Sequence, residues 1–221
     1  MIVGALKTAR FNMIHQQIRP WNVLDSRVLE VIEGIPREAF TPPAYRGMAY
    51  ADLEIPLAHG ETMLAPKIVA KAMQALNIRP GDRVLEIGAG SGYLTACLAR
   101  LAAKVVSIDL HADFIAAAKE RLEALGIRNL ELRVGDALQG DLPGAPFDAI
   151  AVTGSLPKVE ERLLNALAVG GRLFIVTGEA PLMEAKLITR VRDDQWRTEV
   201  LFETELAPLT DRRPKADKFR F

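Results

Sequence analysis

The feature that most constrains the fold is the run VLEIGAGSGY at residues 84–93, where an apolar segment gives way to a helical pattern. Glycines at 88, 90 and 92 let the backbone turn sharply and approach a ligand that a Cβ atom would keep away. Such a loop between a strand and a helix is typical of Rossmann-like α/β folds. The dinucleotide fingerprint requires its third glycine at position 93, where this chain has Tyr93. The motif therefore predicts a Rossmann-like fold and disfavours a nicotinamide dinucleotide as the ligand.

After the motif, short β-rich runs alternate with longer helical patterns, as in βαβ units around a parallel sheet. The predicted strands are 83–87, 104–109, 130–134, 147–152 and 172–176. The predicted helices are 92–101, 112–125 and 157–167. Two alternating segments, 186–191 and 198–206, predict a closing antiparallel hairpin. The pattern predicts a seven-stranded, mostly parallel sheet with an antiparallel hairpin at its C-terminal end.

Residues 1–79 contain helical patterns but no βαβ pairing. Asp25 can cap a helix that ends at Pro36, and an irregular stretch rich in proline and glycine then continues to Pro66. A loop of this length in a compact domain is usually functional, often as a lid. We predict a single domain over residues 1–221, with an N-terminal helical and lid segment (1–79) and a Rossmann-like core (80–221).

The charge balance limits the expected partners. The chain has 28 basic and 28 acidic side chains, which gives no electrostatic reason to expect nucleic acid or an anionic membrane. We expect a soluble, cytoplasmic protein, because no long uncharged apolar run is present. A monomer or weak dimer is also expected. Cys97 is the only cysteine, and no histidine has metal-ligand spacing in the sequence, so no disulfide and no metal site are predicted.

Two acidic residues follow the next strands of the predicted sheet. Asp109 ends the second strand, where a carboxylate can accept both ribose hydroxyl hydrogens, and Asp136 follows the third strand, where it can accept from an adenine amino group. The carboxyl ends of parallel strands meet at one edge of a sheet, so Gly88, Asp109 and Asp136 can contact one adenosine.

The charge near the glycine loop indicates what the adenosine carries. Residues 86–99 contain no basic side chain that would favour a phosphate, and Glu86 adds negative charge that suits an ammonium and a sulfonium. We therefore predict S-adenosylmethionine as the cofactor, with S-adenosylhomocysteine as its product. The predicted cofactor-binding residues are Glu86, Gly88, Ala89, Gly90, Ser91, Gly92, Asp109, Leu110, Asp136 and Ala137.

With these residues in view, the chain resembles the protein-L-isoaspartate (D-aspartate) O-methyltransferases over most of its length. The supporting stretches are PREAFTPP (36–43), AYADLEIPLAHGET (49–62), RVLEIGAGSGYLTACLA (83–99), APFDAIAVTGS (145–155), GGRLFIVTGE (170–179) and ELAPLTD (205–211). Many methyltransferases share the glycine motif, whereas the segment 36–66 points to this family. The resemblance implies repair-type methylation of isoaspartyl carboxylates in damaged proteins or peptides.

One position departs from the family pattern. The family has a sequence close to GQTISQP where this chain has GETMLAP at residues 60–66, so that Leu64 replaces a serine beside the substrate carboxylate. The resemblance implies that this loop folds over the methionine end of the cofactor. On the acceptor side we predict Thr62, Met63 and Leu64, with His59 as a further candidate, whereas His15 and His111 are expected to have surface or capping roles.

Three alternatives stay open from the sequence. The apolar Leu64 is compatible with a methyltransferase of the same fold that acts on a more apolar small-molecule acceptor. The chain could also bind S-adenosylmethionine without turnover. A nicotinamide dehydrogenase is the weakest alternative, because of Tyr93 and the acidic loop.

Overall fold

The computed structural model describes residues 2–140 and 142–210, so the last residue of the stretch 205–211 lies outside the described residues. The helices are α1 (Ile2–Asn12), α2 (Ser26–Gly34), α3 (Pro66–Leu76), α4 (Tyr93–Leu101), α5 (Ala112–Ala124) and α6 (Glu161–Asn165). The strands are β1 (Ile55–Pro56), β2 (Thr62–Met63), β3 (Arg83–Ile87), β4 (Lys104–Asp109), β5 (Leu130–Val134), β6 (Phe147–Leu156), β7 (Leu167–Glu179), β8 (Leu182–Arg192) and β9 (Gln195–Glu203). Within these ranges, no helix has the length and apolar character needed to cross a membrane.

The main sheet has seven strands in the order β5-β4-β3-β6-β7-β8-β9. The strands from β5 to β7 run parallel, whereas β8 is antiparallel to both of its neighbours. The prediction of a mostly parallel seven-stranded sheet with a C-terminal antiparallel hairpin is therefore confirmed. The chain proceeds from β3 outwards to β5 and then returns to the other side of β3 with β6. This reversal of strand order opens a cleft at the carboxyl ends of the central strands, where ligands of such sheets bind.

The central strand β3 contributes to apolar layers on both faces of the sheet. Val84 is buried in one cluster with side chains of α2, α3 and α4. Leu85 and Ile87 point into a second cluster that includes Leu163 of α6. Burial on both faces explains why the central strands β3, β4 and β6 are mostly apolar in the sequence. The N-terminal helices share the first cluster with the sheet, through residues such as Ile32 and Met73.

Several predicted elements differ from the structure in their limits. The helix predicted over 157–167 is wrong in length, because α6 covers only Glu161–Asn165. Residues 157–160 lie in neither a helix nor a strand, β6 ends at Leu156 and β7 starts at Leu167, and both leucines are buried. The fifth predicted strand (172–176) and the hairpin strands (186–191 and 198–206) likewise become β7, β8 and β9 with different limits. Pairing with neighbouring strands, which local periodicity does not contain, sets these ends.

Candidate active site

A cavity of about 880 Å³, including its open mouth, lies at the carboxyl ends of β3, β4 and β6. Its size is that of a pocket for a small molecule. The predicted site residues that line it are Thr62, Met63, Leu64, Glu86, Gly88, Ala89, Gly90, Ser91, Asp109, Leu110, Asp136 and Ala137. Two predicted residues, His59 and Gly92, lie outside this lining. The fold thus brings the acceptor-side and cofactor-side predictions to one cavity.

The glycine loop needs glycine for two different reasons. Gly88 has φ +91°, and a Cβ atom there would lie 2.1 Å from the hydroxyl oxygen of Thr153, which is 2.9 Å from the carbonyl oxygens of both Ile87 and Gly88. Gly92 has φ +84°, and a Cβ atom there would lie 2.9 Å from Cβ of Ala118 in α5. Gly88 therefore shapes the cavity, whereas Gly92 lets α4 begin against α5 and sits behind the cavity wall.

Both strand-end aspartates hold backbone amides as well as facing the cavity. Asp109 Oδ2 accepts from the amide of Gly90 at 2.8 Å, and its Oδ1 accepts from the amide of His111 at 2.9 Å. Asp136 Oδ1 accepts from the amide of Leu138 at 2.8 Å. A carboxylate oxygen has two lone pairs, so each aspartate can accept a further hydrogen bond from a ligand. Asp109 consequently fixes the glycine loop and can also face a ribose.

Glu86 is a fully buried carboxyl group in the wall of the cavity. Its Oε2 accepts from the hydroxyls of Thr95 and Ser107, whereas Oε1 has no hydrogen-bond partner among the described residues. Burial raises the pKa of Glu86 to about 8, against the opposing effect of the two hydroxyl donors. A buried acceptor without a donor is costly, so a cationic ligand group beside Oε1 would relieve that cost and favour the ionised carboxylate.

The free energy of unfolding of the ligand-free protein should depend on pH because of this buried carboxyl group. The pKa of Glu86 is 4.5 in the unfolded chain and about 8 in the folded protein. At a pH between these two values, Glu86 keeps a proton in the folded state that the unfolded chain has lost. The stability that this proton gives at low pH is therefore lost as the pH rises. Relative to Glu86→Gln, we expect the free energy of unfolding to fall from pH 5 to pH 8 by at most ~1.4 kcal/mol per pH unit. Urea unfolding at four pH values measures this difference, and a constant difference would contradict it.

The charges around the cavity favour a cationic ligand. The described lining contains the carboxyl groups of Glu61, Glu86, Asp109 and Asp136, whereas its only arginine or lysine is Arg37. An anionic phosphate tail would be repelled here, while an ammonium or a sulfonium would be attracted. Three features of the cavity fit an adenosyl group that carries positive charge. They are the glycine loop, this acidic lining and the Oε1 of Glu86, which has no hydrogen-bond partner among the described residues.

Arg37 fastens the segment that covers the cavity. This arginine is fully buried, and its Nε and Nη2 donate to the carbonyl oxygens of Ala49 and Leu64, each at 2.7 Å. Its guanidinium carbon lies 4.9 Å from the centroid of the Tyr93 ring. We use the name lid segment from here on for residues 49–64 only, a part of the region 1–79 for which the sequence predicts helices and a lid. One buried side chain thus holds both ends of this lid segment.

Further contacts close the lid segment over the glycine loop. Its strands β1 and β2 form a short antiparallel pair, and the amide of Leu57 donates to the carbonyl oxygen of Glu61 at 2.8 Å. A Cβ atom added at Gly90 would lie 3.4 Å from the Leu57 side chain, so this side chain is close to the glycine loop. The hydroxyl of Thr210 donates to Glu61 Oε1 at 2.7 Å. The lid segment therefore contacts both the glycine loop and the chain that follows β9.

The acceptor side of the cavity is more apolar than the family pattern implies. Leu64 is buried, with 8% of its surface exposed, and it lines the cavity next to Met63. The hydroxyl of Thr62 donates to Glu54 Oε2 at 3.0 Å, so its proton is already engaged. A leucine in this position supplies no hydrogen bond to a substrate oxygen.

Several lining residues were not predicted as site residues from the sequence. Thr153 and Gly154 come from β6, and the segment 207–210 adds Leu209 and Thr210 through its parallel bridge at Ser155. Arg37 belongs to this group as well. The signal was present, because the stretches 36–43, 145–155 and 205–211 carried the family resemblance without any assigned role.

Comparisons with known proteins agree with this geometry. The sequence model of the family described as protein-L-isoaspartate(D-aspartate) O-methyltransferase (PCMT) matches residues 8–214. Protein-L-isoaspartate O-methyltransferase 1 of Rhodopseudomonas palustris is 41% identical over 201 residues, which cover 90% of this chain and 82% of that protein. A protein-L-isoaspartate O-methyltransferase of Methanoculleus marisnigri is 43% identical over 182 residues, covering 82% and 83% of the two chains.

A solved structure shares the fold. It is described as a Plasmodium falciparum protein-L-isoaspartate O-methyltransferase in complex with S-adenosyl-L-homocysteine, and it superimposes with a TM-score of 0.79 at 23% identity, covering 93% of this chain and 98% of that one. Identity this low supports the fold alone, while the family match spans nearly the whole sequence. The chain belongs to the protein-L-isoaspartate(D-aspartate) O-methyltransferase family.

Proposed function

We propose that this protein uses S-adenosylmethionine to methylate the carboxylate of L-isoaspartyl or D-aspartyl residues in damaged proteins and peptides. The observation that carries the proposal is the acidic cavity at the strand ends, covered by the lid segment, in a chain of this family. The role is one of protein repair. A protein or peptide that contains an isoaspartyl residue is the expected partner.

The cofactor side would be held mainly by backbone and carboxylates. Gly88 to Ser91 would pass close to the ligand, Asp109 would accept from the ribose, and Asp136 would accept from the adenine amino group. Glu86 Oε1 would face the ammonium group, which supplies the donor that this oxygen lacks among the described residues. When bound, S-adenosylmethionine supplies an electrophilic methyl group on a cationic sulfur.

The protein's own contribution is positioning rather than proton transfer. An aspartyl carboxylate is already ionised at pH 7, so the reaction needs no catalytic base. Thr62, Met63 and Leu64 would exclude water and hold the acceptor in line with the methyl group. Arg37 would act as a positioning residue, because it fixes the backbone that carries this acceptor wall.

Methyl transfer to a matched pair of peptides tests the proposal. We expect transfer from labelled S-adenosylmethionine to a peptide with one L-isoaspartyl residue and none to the same peptide with normal aspartate. Equal transfer to both peptides, or no transfer to either, would exclude the repair function. Tight cofactor binding without transfer to any acceptor would instead support a binding protein without turnover.

A second candidate, methylation of a more apolar small molecule, is favoured by one observation, the buried Leu64 in the acceptor wall. If the protein repairs isoaspartyl residues with Leu64 in place, Leu64→Ser should change kcat/KM for the isoaspartyl peptide by less than about threefold. A hydrogen bond to an ionised oxygen is worth roughly 1.5 to 3 kcal/mol, so a missing one would appear as a gain of about tenfold or more.

Leu64→Ala is the matched control for this prediction, because it removes the same bulk without adding a hydroxyl. A gain of tenfold or more for serine but not for alanine would contradict the first proposal and favour the second. Similar small changes for both variants would agree with isoaspartyl recognition through other groups.

The cellular location and the oligomeric state of the protein are inferred from its sequence. We infer cytoplasmic action by a monomer or weak dimer, with no role for nucleic acid, from the single cysteine and the balanced charge. Gel filtration at micromolar concentration tests the oligomeric state.

A further inference from the structure

A cluster at the edge of the cavity brings together two histidines and an aspartate, of which His111 lines the cavity and the other two lie outside its lining. His59 belongs to the lid segment, His111 lies directly before α5, and Asp113 is in the first turn of α5. The two imidazole rings are stacked, with centroids 4.0 Å apart and planes 3° from parallel. His59 Nε2 lies 3.0 Å from Asp113 Oδ2. The cluster therefore spans the lid segment and the body of the protein.

The backbone of His59 has a conformation that residues other than glycine seldom adopt. Its φ is +59° and its ψ is +14°, in the left-handed region. Such a conformation costs free energy and persists where surrounding contacts fix it, often at functional sites. Here the contacts that accompany it are those of the ring with His111, Asp113 and Phe114. The left-handed backbone at His59 thus places the imidazole against the start of α5.

The second histidine has a nitrogen that no hydrogen bond satisfies. His111 Nε2 is inaccessible to solvent and has no hydrogen-bond partner in the described part of the chain. The closest charged atom is Glu61 Oε1, at 3.8 Å. An unsatisfied imidazole nitrogen that faces the carboxylate of Glu61, in a cluster that also contains the carboxylate of Asp113, is an arrangement that a cation would stabilise.

We propose that His59, His111 and Asp113 bind one divalent transition-metal ion of the Zn²⁺ class, and that this ion fastens the lid segment to α5. Two imidazoles and one carboxylate form a ligand set that suits Zn²⁺ and its neighbours. One possible ligand atom from each residue lies within 4.8 Å of the others. Ligand atoms on a tetrahedral ion with bonds of about 2.1 Å are about 3.4 Å apart, so the ligand atoms must approach one another by up to about 1.5 Å. The stacked rings must also rotate out of their parallel arrangement, so that one nitrogen of each ring points at the ion.

The exposure of the cluster allows these movements. The side chains of His59 and Asp113 are 42% and 60% exposed, so an ion can enter from solvent. Binding would replace the hydrogen bond between these two residues by two bonds to the metal. The ligands come from positions 59, 111 and 113, which explains why sequence spacing predicted no metal site.

The other histidine and the cysteine of the chain should compete little with the cluster for a transition-metal ion. His15 is the only remaining histidine, and it lies on the π-helical stretch Met13–Ile18 that follows α1, far along the chain from the cluster. Cys97 is fully buried, and burial raises the pKa of its thiol to about 12. A thiol in this state is a poor metal ligand at neutral pH, because the thiolate is the binding form. Tight binding of one ion is thus attributable to the cluster.

Titration of the metal-free chain with Co²⁺, followed by displacement with Zn²⁺, tests the site in the absence of any methyl donor. We expect one Co²⁺ per chain with a visible absorption band, and at least tenfold weaker binding in His59→Gln, His111→Gln and Asp113→Asn. The exposed position of Asp113 makes Asp113→Asn the variant least able to disturb folding. His15→Gln is the matched control and should bind as the wild type does.

Two outcomes would overturn the site: binding by the wild type no tighter than by the His59→Gln/His111→Gln double variant, or an equal loss in His15→Gln. Hydrogen exchange tests the fastening, because Zn²⁺ should slow amide exchange at residues 57–62 in the wild type and leave the double variant unchanged. Binding without slower exchange would overturn the fastening of the lid segment. These measurements use no methyl transfer, so they are independent of the proposed repair function.

Discussion

Replacing Gly88 with alanine is expected to weaken S-adenosylhomocysteine binding by more than about tenfold and to lower the free energy of unfolding by about 3 kcal/mol. The new Cβ atom would lie 2.1 Å from the hydroxyl oxygen of Thr153, and the backbone φ of +91° is unfavourable for any residue with a side chain. Either Thr153 gives up its contacts with the carbonyls of Ile87 and Gly88, or the loop moves out of the cavity. Calorimetry and urea unfolding measure the two effects.

Two further variants separate the steric clash from the backbone strain at Gly88. Gly60→Ala places a side chain at φ +77° with no atom within 4 Å of the new Cβ, so it should cost only about 1 to 2 kcal/mol. Gly88→Ala/Thr153→Ala removes the clashing oxygen and should recover part of the lost stability and affinity. If Gly88→Ala costs no more than Gly60→Ala and binds the ligand normally, the close approach of Gly88 to Thr153 is wrong.

Replacing Arg37 with alanine should destabilise the protein by at least ~3 kcal/mol. The variant leaves the carbonyl oxygens of Ala49 and Leu64 without their donor and empties the space of a large, fully buried side chain. Burial lowers the pKa of Arg37, which reflects the cost of burying its charge, and relief of that cost offsets only part of the loss. Urea unfolding of the ligand-free protein measures the change.

Arg46→Ala is the matched control for this prediction, because Arg46 is an exposed arginine of the neighbouring 3-10 turn. Its free energy of unfolding should stay within about 0.5 kcal/mol of the wild type. Protease sensitivity of the lid segment should rise in Arg37→Ala and remain unchanged in the control. A loss of less than ~1 kcal/mol for Arg37→Ala would mean that the lid segment is held by other contacts.

The central sheet could be predicted because its signals are local. The strands β3, β4 and β5 have the limits that the sequence predicts, since a glycine follows β3 and β5 directly and an aspartate ends β4. The helix predicted over 157–167 was wrong in length because residues 157–160 are not helical and Leu167 already belongs to β7, where it pairs with Phe147. Such pairing links residues that are distant in sequence, which periodicity does not report.

The site was predictable on its cofactor side and less so elsewhere. The glycine loop, Asp109 and Asp136 follow strands directly, so their convergence follows from the topology of a parallel sheet. Arg37 was not predicted as a site residue because its role lies in two backbone hydrogen bonds to the ends of the lid segment. The pairing of His59 with Asp113 depends in the same way on how the lid segment folds back onto α5.

Calorimetric titration of S-adenosylhomocysteine into the wild type and Asp109→Ala is the most direct test of the cofactor site. The variant removes the proposed ribose acceptor and also the acceptor of the Gly90 amide, so we expect at least ~1.5 kcal/mol weaker binding, about tenfold. Asp52→Ala, which removes an exposed carboxylate paired with Lys67 outside the cavity lining, should bind as the wild type does. Unchanged affinity in Asp109→Ala would contradict an adenosyl group at the ends of the central strands.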